Sequence, residues 1–218
     1  MVEYEVKHSK RKTLAIHVTR RATVEVRAPY SVSRERIEGF VKSREAWISR
    51  HLGNMEQVVF QEQDAVLLLG REYGILRTGG KKAGFDGQAF HIPETTKPGD
   101  VQKAVEHVYR SLAREILSSK SEAFSRILGV SPKGMRITGA TTRWGSCSQK
   151  GSLNFSWRLI MAEEDLVDYV VIHELAHLAR HDHSSAFWKI VERAMPSYRE
   201  KKKQLRKLQH HPAYRKFL

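Results

Sequence analysis

The sequence predicts an α+β fold, in which a β-rich N-terminal part precedes a domain built from a helix, a short sheet and further helices. Two observations predict this order. Short runs of alternating apolar and polar residues fill much of the first part of the chain, and such runs are typical of half-buried strands. After Pro98 the apolar residues recur at helical spacing, and two strand-like segments interrupt them.

The β-rich N-terminal region is assigned to residues 1–97 and is expected to contain one helix. Ser33, a good N-cap, starts that helix, an apolar stripe carries it to Leu52, and Gly53 and Asn54 end it. A turn is expected at 20–22 and a linker at 95–99. Alternating or β-branched runs predict strands at 2–6, 14–18, 23–27, 66–69, 73–76 and 89–92.

The second domain is assigned to residues 98–218. An apolar stripe predicts a long helix over 101–128, which Gly129 ends. Glu163, Glu164 and Asp165 suit a helix N-terminus and open a second helix that reaches about Arg180. The remaining elements are strands at 135–138 and 153–160 and helices at 185–194 and 198–210, of which the last is basic.

Composition excludes several classes of protein. Hydrophobic residues make up 40% and charged residues 28%, which is ordinary for a soluble globular domain. No apolar run approaches the length that a membrane crossing needs, and the acidic, alternating N-terminus does not resemble a secretory signal. Cys147 is the only cysteine, which excludes an internal disulfide framework. We therefore expect a cytoplasmic protein that does not bind a membrane.

The net charge of +14 is concentrated at the two ends of the chain. Residues 1–50 contain 12 Lys or Arg against 6 Asp or Glu, and residues 199–218 contain 8 against 1. Such ends could steer acidic substrates or bind nucleic acid. Solvated charge that only aids solubility is the simpler interpretation.

The segment His173-Glu174-Leu175-Ala176-His177 is an HExxH motif. Residues i and i+4 project from the same face of a helix, so His173 and His177 can bind one zinc ion. Glu174 lies beside that pair and can act as the general base that takes a proton from the zinc-bound water. The flanking valines and leucines predict a mostly buried helix, in which these polar side chains would be costly without partners.

A third ligand is expected downstream, because a catalytic zinc takes three protein ligands and one open position. His181 continues the helical row, but successive turns rise by about 5.4 Å each and cannot converge on one ion. His183 leaves room for the chain to turn back and is the favoured ligand. His181 is the alternative, and Asp182 is either a weaker ligand or a group that holds a ligand ring.

These motifs resemble the YgjP-like metallopeptidase family, which is related to the SprT and WLM zincins. The segments that carry the resemblance are 9–14, 24–29, 47–48, 142–147, 153–155, 168–178, 183–184 and 187–188. The resemblance implies a zincin-like hydrolase domain in a bacterial or archaeal cytoplasmic protein. It also implies one zinc ion bound through His173, His177 and His183, with Glu174 as the catalytic residue, but it implies no defined substrate.

The spacing of the three histidines also matches the metzincin pattern, with one departure. Arg180 stands where metzincins have a glycine, which allows a sharp turn with positive φ. The turn toward His183 must therefore be built differently, so membership of the metzincins is in doubt while zinc binding is not.

Substrate contacts are expected around Trp144, which lies between the two strand-like segments. One of the strands flanking Trp144 could bind an extended peptide along its edge, Gly145 would permit close approach of a backbone, and Arg143 could contact a carboxylate or phosphate. Tyr198 could donate to an oxyanion. The simpler alternatives are that Trp144 packs in the core and that Tyr198 only begins a helix.

Other interpretations stay open at this point. Cys147 could be a nucleophile, although no feature marks its thiol as activated. The simpler interpretation is that Cys147 is a small residue that packs in the core. The leading function is zinc-dependent peptide hydrolysis. The alternatives are hydrolysis of a phosphorylated small molecule such as a nucleotide, and a DNA-associated protease or nucleic-acid-binding protein. Zinc is the favoured metal, with other divalent transition metals as alternatives.

Overall fold

A three-stranded sheet and two helices form the described part of the first unit of the chain, Met1–Val59. The computed structural model describes residues 3–18, 24–54, 65–208 and 211–217, so the turn predicted at 20–22 lies outside the described residues. The strand order is β1-β3-β2, with β1 parallel and β2 antiparallel to β3. The elements are β1 (Tyr4–Ser9), β2 (Ala15–Val18), β3 (Val24–Pro29), α1 (Arg34–Ser43) and α2 (Glu45–Asn54).

The single helix predicted in this region is two helices. Ser33 caps α1 as expected, since its hydroxyl accepts the Arg36 N–H at 3.4 Å. Arg44 then leaves the helical conformation (φ −113°, ψ 6°) and separates α1 from α2. Buried Ile37 and Ile48 lie on either side of this break in one small core. The apolar stripe thus continues across the break, which is why periodicity predicted one helix.

The second unit, Phe60–Leu218, begins with short strands. β4 and β5 form an antiparallel pair, and the other three form a sheet in the order β6-β8-β7. These strands bury apolar side chains in the same core as the helices that follow. The compact units therefore divide at 59/60, whereas the boundary predicted for the hydrolase domain, at 97/98, stays a prediction. The strands are β4 (Val66–Leu68), β5 (Arg71–Tyr73), β6 (Ile75–Thr78), β7 (Gly84–Phe85) and β8 (Phe90–Pro93).

Two long helices organise this core, and both match their predictions closely. α3 (Val101–Leu128) ends at Gly129, which adopts the left-handed conformation (φ 67°) that glycine tolerates. α4 (Glu164–Ala179) packs against α3, and Lys120 of α3 pairs with Asp168 (2.6 Å) and Glu164 (2.8 Å) in the first turns of α4.

A three-stranded sheet in the order β10-β11-β9 lies between these helices in sequence. β9 (Gly134–Thr138) is parallel to β11 (Ser152–Ser156), and β10 (Gly145–Cys147) is antiparallel to it. The strand predicted at 153–160 is wrong beyond Ser156, because Trp157–Met161 form a 3-10 helix. All five of those residues are buried, so apolar character alone could not distinguish this turn from a strand.

The chain closes with α5 (Ser185–Ala194), α6 (Tyr198–Leu208) and α7 (Pro212–Arg215). α5 and α6 both pack against α4, which is therefore covered on most sides and mostly buried. None of the described helices combines the length and the apolar character that a membrane crossing requires. The mixture of helices and small sheets, with a β-rich N-terminal part, confirms the predicted α+β class.

Candidate metal centre

Helix α4 presents His173 and His177 from one face, one turn apart. Their ring centroids lie 5.0 Å apart, in an edge-to-face arrangement. Phe187 of α5 is fully buried against both, with its ring 5.0 Å from that of His173 and 4.6 Å from that of His177. A rigid apolar side chain thus holds the two imidazoles in place.

The turn that follows α4 brings a third histidine back to this pair. Arg180 takes an extended conformation (φ −146°, ψ 114°), so the turn needs no residue with positive φ at the position where metzincins have glycine. The Asp182 carboxylate accepts the Ser184 N–H at 3.2 Å and helps to shape the loop. The result places Nε2 of His183 at 3.2 Å from Nε2 of His173.

The three histidines form a group that could hold a metal ion. Each offers one ring nitrogen, and the three atoms lie within 4.8 Å of one another. The two alternative ligands, His181 and Asp182, are not part of this group. The Nε2 atoms of His173 and His183 face each other at 3.2 Å, and a shared cation would accept a lone pair from each. The donor set therefore fits a cation that prefers imidazole nitrogen.

The surroundings of His173 and His177 favour the neutral form of both rings, which is the form that binds a metal. Burial, together with His177 and His183, lowers the pKa of His173 to about 3. Burial also lowers the pKa of His177, against an opposing hydrogen bond to the Arg180 carbonyl. That carbonyl lies 3.1 Å from Nδ1 of His177, so Nδ1 donates and Nε2 keeps its lone pair.

Glu174 is buried beside the histidines, with 7% of its surface exposed. Burial raises the pKa of its carboxyl group to about 7, although the backbone N–H of Cys147 donates to it and acts in the opposite direction. A carboxyl group with a pKa near neutrality can exchange a proton under physiological conditions.

Strand β10 forms the wall against which Glu174 lies. A Cβ atom added to Gly145 would lie 2.7 Å from Cγ and 2.9 Å from Oε1 of Glu174, so only glycine fits here without displacing the carboxylate. The close approach of a backbone to Gly145 stays a prediction, and the contact in the structure is with the Glu174 side chain. The edge beside α4 is β10 itself, not one of the two strands predicted to flank Trp144.

The outer edge of β10 is oriented for hydrogen bonding. Ser156 N–H donates to the Trp144 carbonyl and Ser148 N–H donates to the Ser152 carbonyl, so both Trp144 and Ser148 face β11. Because backbone groups alternate along an antiparallel strand, those of Gly145 and Cys147 point away from β11. Cys147 N–H reaches Glu174, and Gly145 lines the adjoining cavity.

The cavity has a volume of about 480 Å³ and includes His173, Glu174 and His183 in its wall. Tyr169, Lys202 and Arg206 also line this cavity and were not among the predicted site residues. Tyr169 precedes His173 by one helical turn, so the i, i+4 spacing could have identified it. Lys202 and Arg206 are also one turn apart, but only the packing of α6 on α4 reveals which side of α6 meets the cavity.

The residues predicted to contact substrate have different positions. Trp144 and Gly145 line the cavity, and the Trp144 ring also packs 5.1 Å from that of Tyr214. Arg143 is exposed and is not among the residues that line the cavity. Tyr198 is buried with its ring stacked 5.1 Å from that of Trp188, and its hydroxyl accepts from Arg199 at 3.2 Å. These contacts favour a packing role for Tyr198.

Cys147 is half-buried and packs against the main core. Burial and the nearby Glu174 carboxylate raise the pKa of its thiol. A reactive cysteine needs the opposite shift, because the thiolate is the nucleophile. The site geometry thus favours packing for Cys147.

Comparison with known proteins identifies the family. The model of the YgjP-like metallopeptidase domain matches residues 12–208. The chain belongs to this family. The family that the sequence motifs resemble is therefore confirmed.

Two other comparisons add less. The chain is similar to the crystal structure of the metallopeptidase zymogen of Pyrococcus abyssi abylysin, with 28% identity over 41% of this chain and 90% of that chain and a TM-score of 0.39. No curated protein matches the chain. Membership of a metallopeptidase family supports hydrolase activity on peptides and the use of a metal ion, which the histidine group could hold.

Proposed function

We propose that this YgjP-like protein is a zinc-dependent metallopeptidase in which His173, His177 and His183 bind one zinc ion and Glu174 is the general base. The observation that carries the proposal is the position of a buried carboxyl group directly beside three converging imidazoles. A structural zinc site is a poor alternative, since such sites take four protein ligands that commonly include several cysteines, and this chain has one.

Zinc is the metal that three neutral imidazoles and an open position suit best. When bound, it supplies Lewis acidity toward a peptide carbonyl and toward water. Two contacts within the chain hold the histidine rings in position for metal binding. The Arg180 carbonyl orients the His177 ring, and Phe187 packs against the histidine rings and keeps them from rotating away.

Glu174 moves the proton. Its carboxylate takes a proton from the attacking water and delivers it to the leaving amine. Burial favours the protonated form, whereas a metal ion held by the neighbouring histidines would favour the ionised form. The balance of these two effects would let the carboxyl group both accept and release the proton.

The peptide is held as an added strand along β10. Gly145 offers backbone groups that point away from β11, and an extended substrate can pair with them. The half-buried Trp144 forms part of the same wall. A substrate in this position passes close to Glu174, because Glu174 packs directly on Gly145.

Metal analysis and peptide hydrolysis test the proposal together. We expect about one zinc per chain in the wild type and in His181→Ala, the matched control, and little in His183→Ala. Glu174→Gln should keep its zinc and lose activity on a peptide library by a factor of about 100 or more. Equal zinc in both histidine variants would reject His183 as a ligand, and unchanged cleavage by Glu174→Gln would reject the mechanism.

The alternative functions remain predictions. A phosphorylated small molecule is the second candidate because two cationic side chains, Lys202 and Arg206, line the cavity. Glu174-dependent release of phosphate or pyrophosphate from nucleotides, without peptide cleavage, would favour it. Nucleic-acid binding by the basic ends and a cytoplasmic location also remain predictions.

A further inference from the structure

The basic residues of α6 differ in whether an acidic partner neutralises them. Arg199 lies 3.7 Å from Glu192, and Lys201 pairs with Asp165. Lys202 and Arg206 instead line the cavity. Within the described ranges, no carboxylate lies at ion-pair distance from either of these two side chains.

Lys202 and Arg206 face the same cavity. They stand four residues apart on α6 and therefore share one face of the helix. The Lys202 ammonium lies 4.7 Å from the centre of the Trp188 ring, which in turn stacks 5.7 Å from the ring of His183. The ammonium is thus held by a cation–π contact at the side of the histidine cluster.

The charge of the cavity is unbalanced. Among the described residues that line it, two have basic side chains and only Glu174 carries a carboxyl group. Glu174 is already assigned to proton transfer, and a metal ion on the histidines would add further positive charge. An anionic group on the substrate would complement this cavity.

We propose that Lys202 and Arg206 form a carboxylate-binding subsite that selects peptides with an acidic group close to the scissile bond. This inference rests on the proposed peptidase function. A carboxylate suits the pair because a guanidinium can bind both of its oxygens while the ammonium acts as a point charge. The carboxylate belongs either to an Asp or Glu side chain or to the C-terminus of the substrate.

Three peptides of one apolar sequence separate these sources. The first is neutral and amidated, the second is amidated and carries one glutamate beside the cleaved bond, and the third is neutral with a free C-terminal carboxylate. We expect the zinc-loaded wild type to cleave the second or the third with kcat/KM about 10-fold or more above the first at low salt. A preference for the second indicates an acidic side chain, and a preference for the third indicates the C-terminus.

Charge-matched variants assign the preference to the two residues. Lys202→Gln and Arg206→Gln should each reduce the ratio of kcat/KM between acidic and neutral peptides by about three- to tenfold. Lys203→Gln and Lys207→Gln remove the same charge from exposed positions of α6 outside the cavity, and they should leave that ratio unchanged. Arg206→Glu should shift the preference toward a peptide that carries lysine.

Binding supplies a readout that does not depend on turnover. Zinc-loaded Glu174→Gln should bind the preferred acidic peptide, the second or the third, more tightly than the neutral one, as measured by calorimetry, and Arg206→Gln in that background should remove the difference. Glu174-dependent cleavage of all three peptides at equal rates, with equal binding, would overturn the subsite and leave the peptidase intact. Tighter binding of acidic peptides without any cleavage would support the subsite and reject the peptidase.

Discussion

Replacing Gly145 by alanine should separate catalysis from metal binding. The new Cβ atom would lie 2.7 Å from Cγ of Glu174, and an ordinary contact needs at least 3.4 Å, so one of the two groups must move by about 0.7 Å. Glu174 is confined by its burial, and a displacement of this size removes a general base from its working position. We expect kcat on a cleaved peptide to fall about 100-fold. The free energy of unfolding should fall by about 1–3 kcal/mol through overpacking.

Zinc content and a second glycine variant control this experiment. The three atoms nearest to a Cβ atom added at Gly145 all belong to Glu174 and none to a histidine. Gly145→Ala should therefore retain its zinc. Gly134→Ala is the matched control, because Gly134 lies in β9 of the same sheet and an added Cβ atom meets nothing within 4 Å. Normal kcat in Gly145→Ala would refute the claim that Glu174 must occupy this position. Loss of zinc in Gly145→Ala would show that the displacement extends to the metal site.

Two further predictions concern stability. Burial raises the pKa of Glu174 to about 7 from an ordinary 4.5. The folded metal-free protein therefore holds this proton more tightly than the unfolded chain does. The contribution of the proton to the free energy of unfolding is complete below about pH 4.5 and is lost as the pH rises to about 7. Urea denaturation should therefore show the stability of the metal-free wild type relative to Glu174→Gln falling by on the order of 3 kcal/mol across that window, and a constant difference would contradict the burial argument. Zinc at about 100 times its Kd should raise the Tm of the metal-free protein by about 5–10 °C. His181→Ala should show the same shift in Tm, and His183→Ala should show little. Equal shifts in both variants would reject His183 as a ligand.

Local sequence signals predicted the helices around the site well. α3 and α4 have continuous apolar stripes and clear ends, such as the left-handed Gly129. The HExxH motif lies in the middle of α4, where the i, i+4 spacing alone brings His173 and His177 to one face. His183 followed from a geometric argument, because a straight helix cannot supply a third ligand to the same ion.

Most of the features that were missed leave no clear local signal in the sequence. β10 contains only three residues, Gly145–Cys147, too few for an alternating pattern to be visible. Its position against Glu174 comes from the packing of α4 on the sheet. Lys202 and Arg206 look like ordinary members of a basic run until α6 is packed, and Arg44 breaks a helix whose apolar stripe continues in phase.

The proposed ligands also occupy a very short stretch of the chain. His173 and His183 are ten residues apart, so closing the loop between them costs little entropy. A peptide that contained only α4, the turn and α5 should therefore still bind zinc, weakly. It would lack β10, and with it the apolar enclosure that sets the proton affinity of Glu174. Metal binding is therefore expected to need only the helical hairpin, whereas the raised pKa of Glu174 needs the sheet as well.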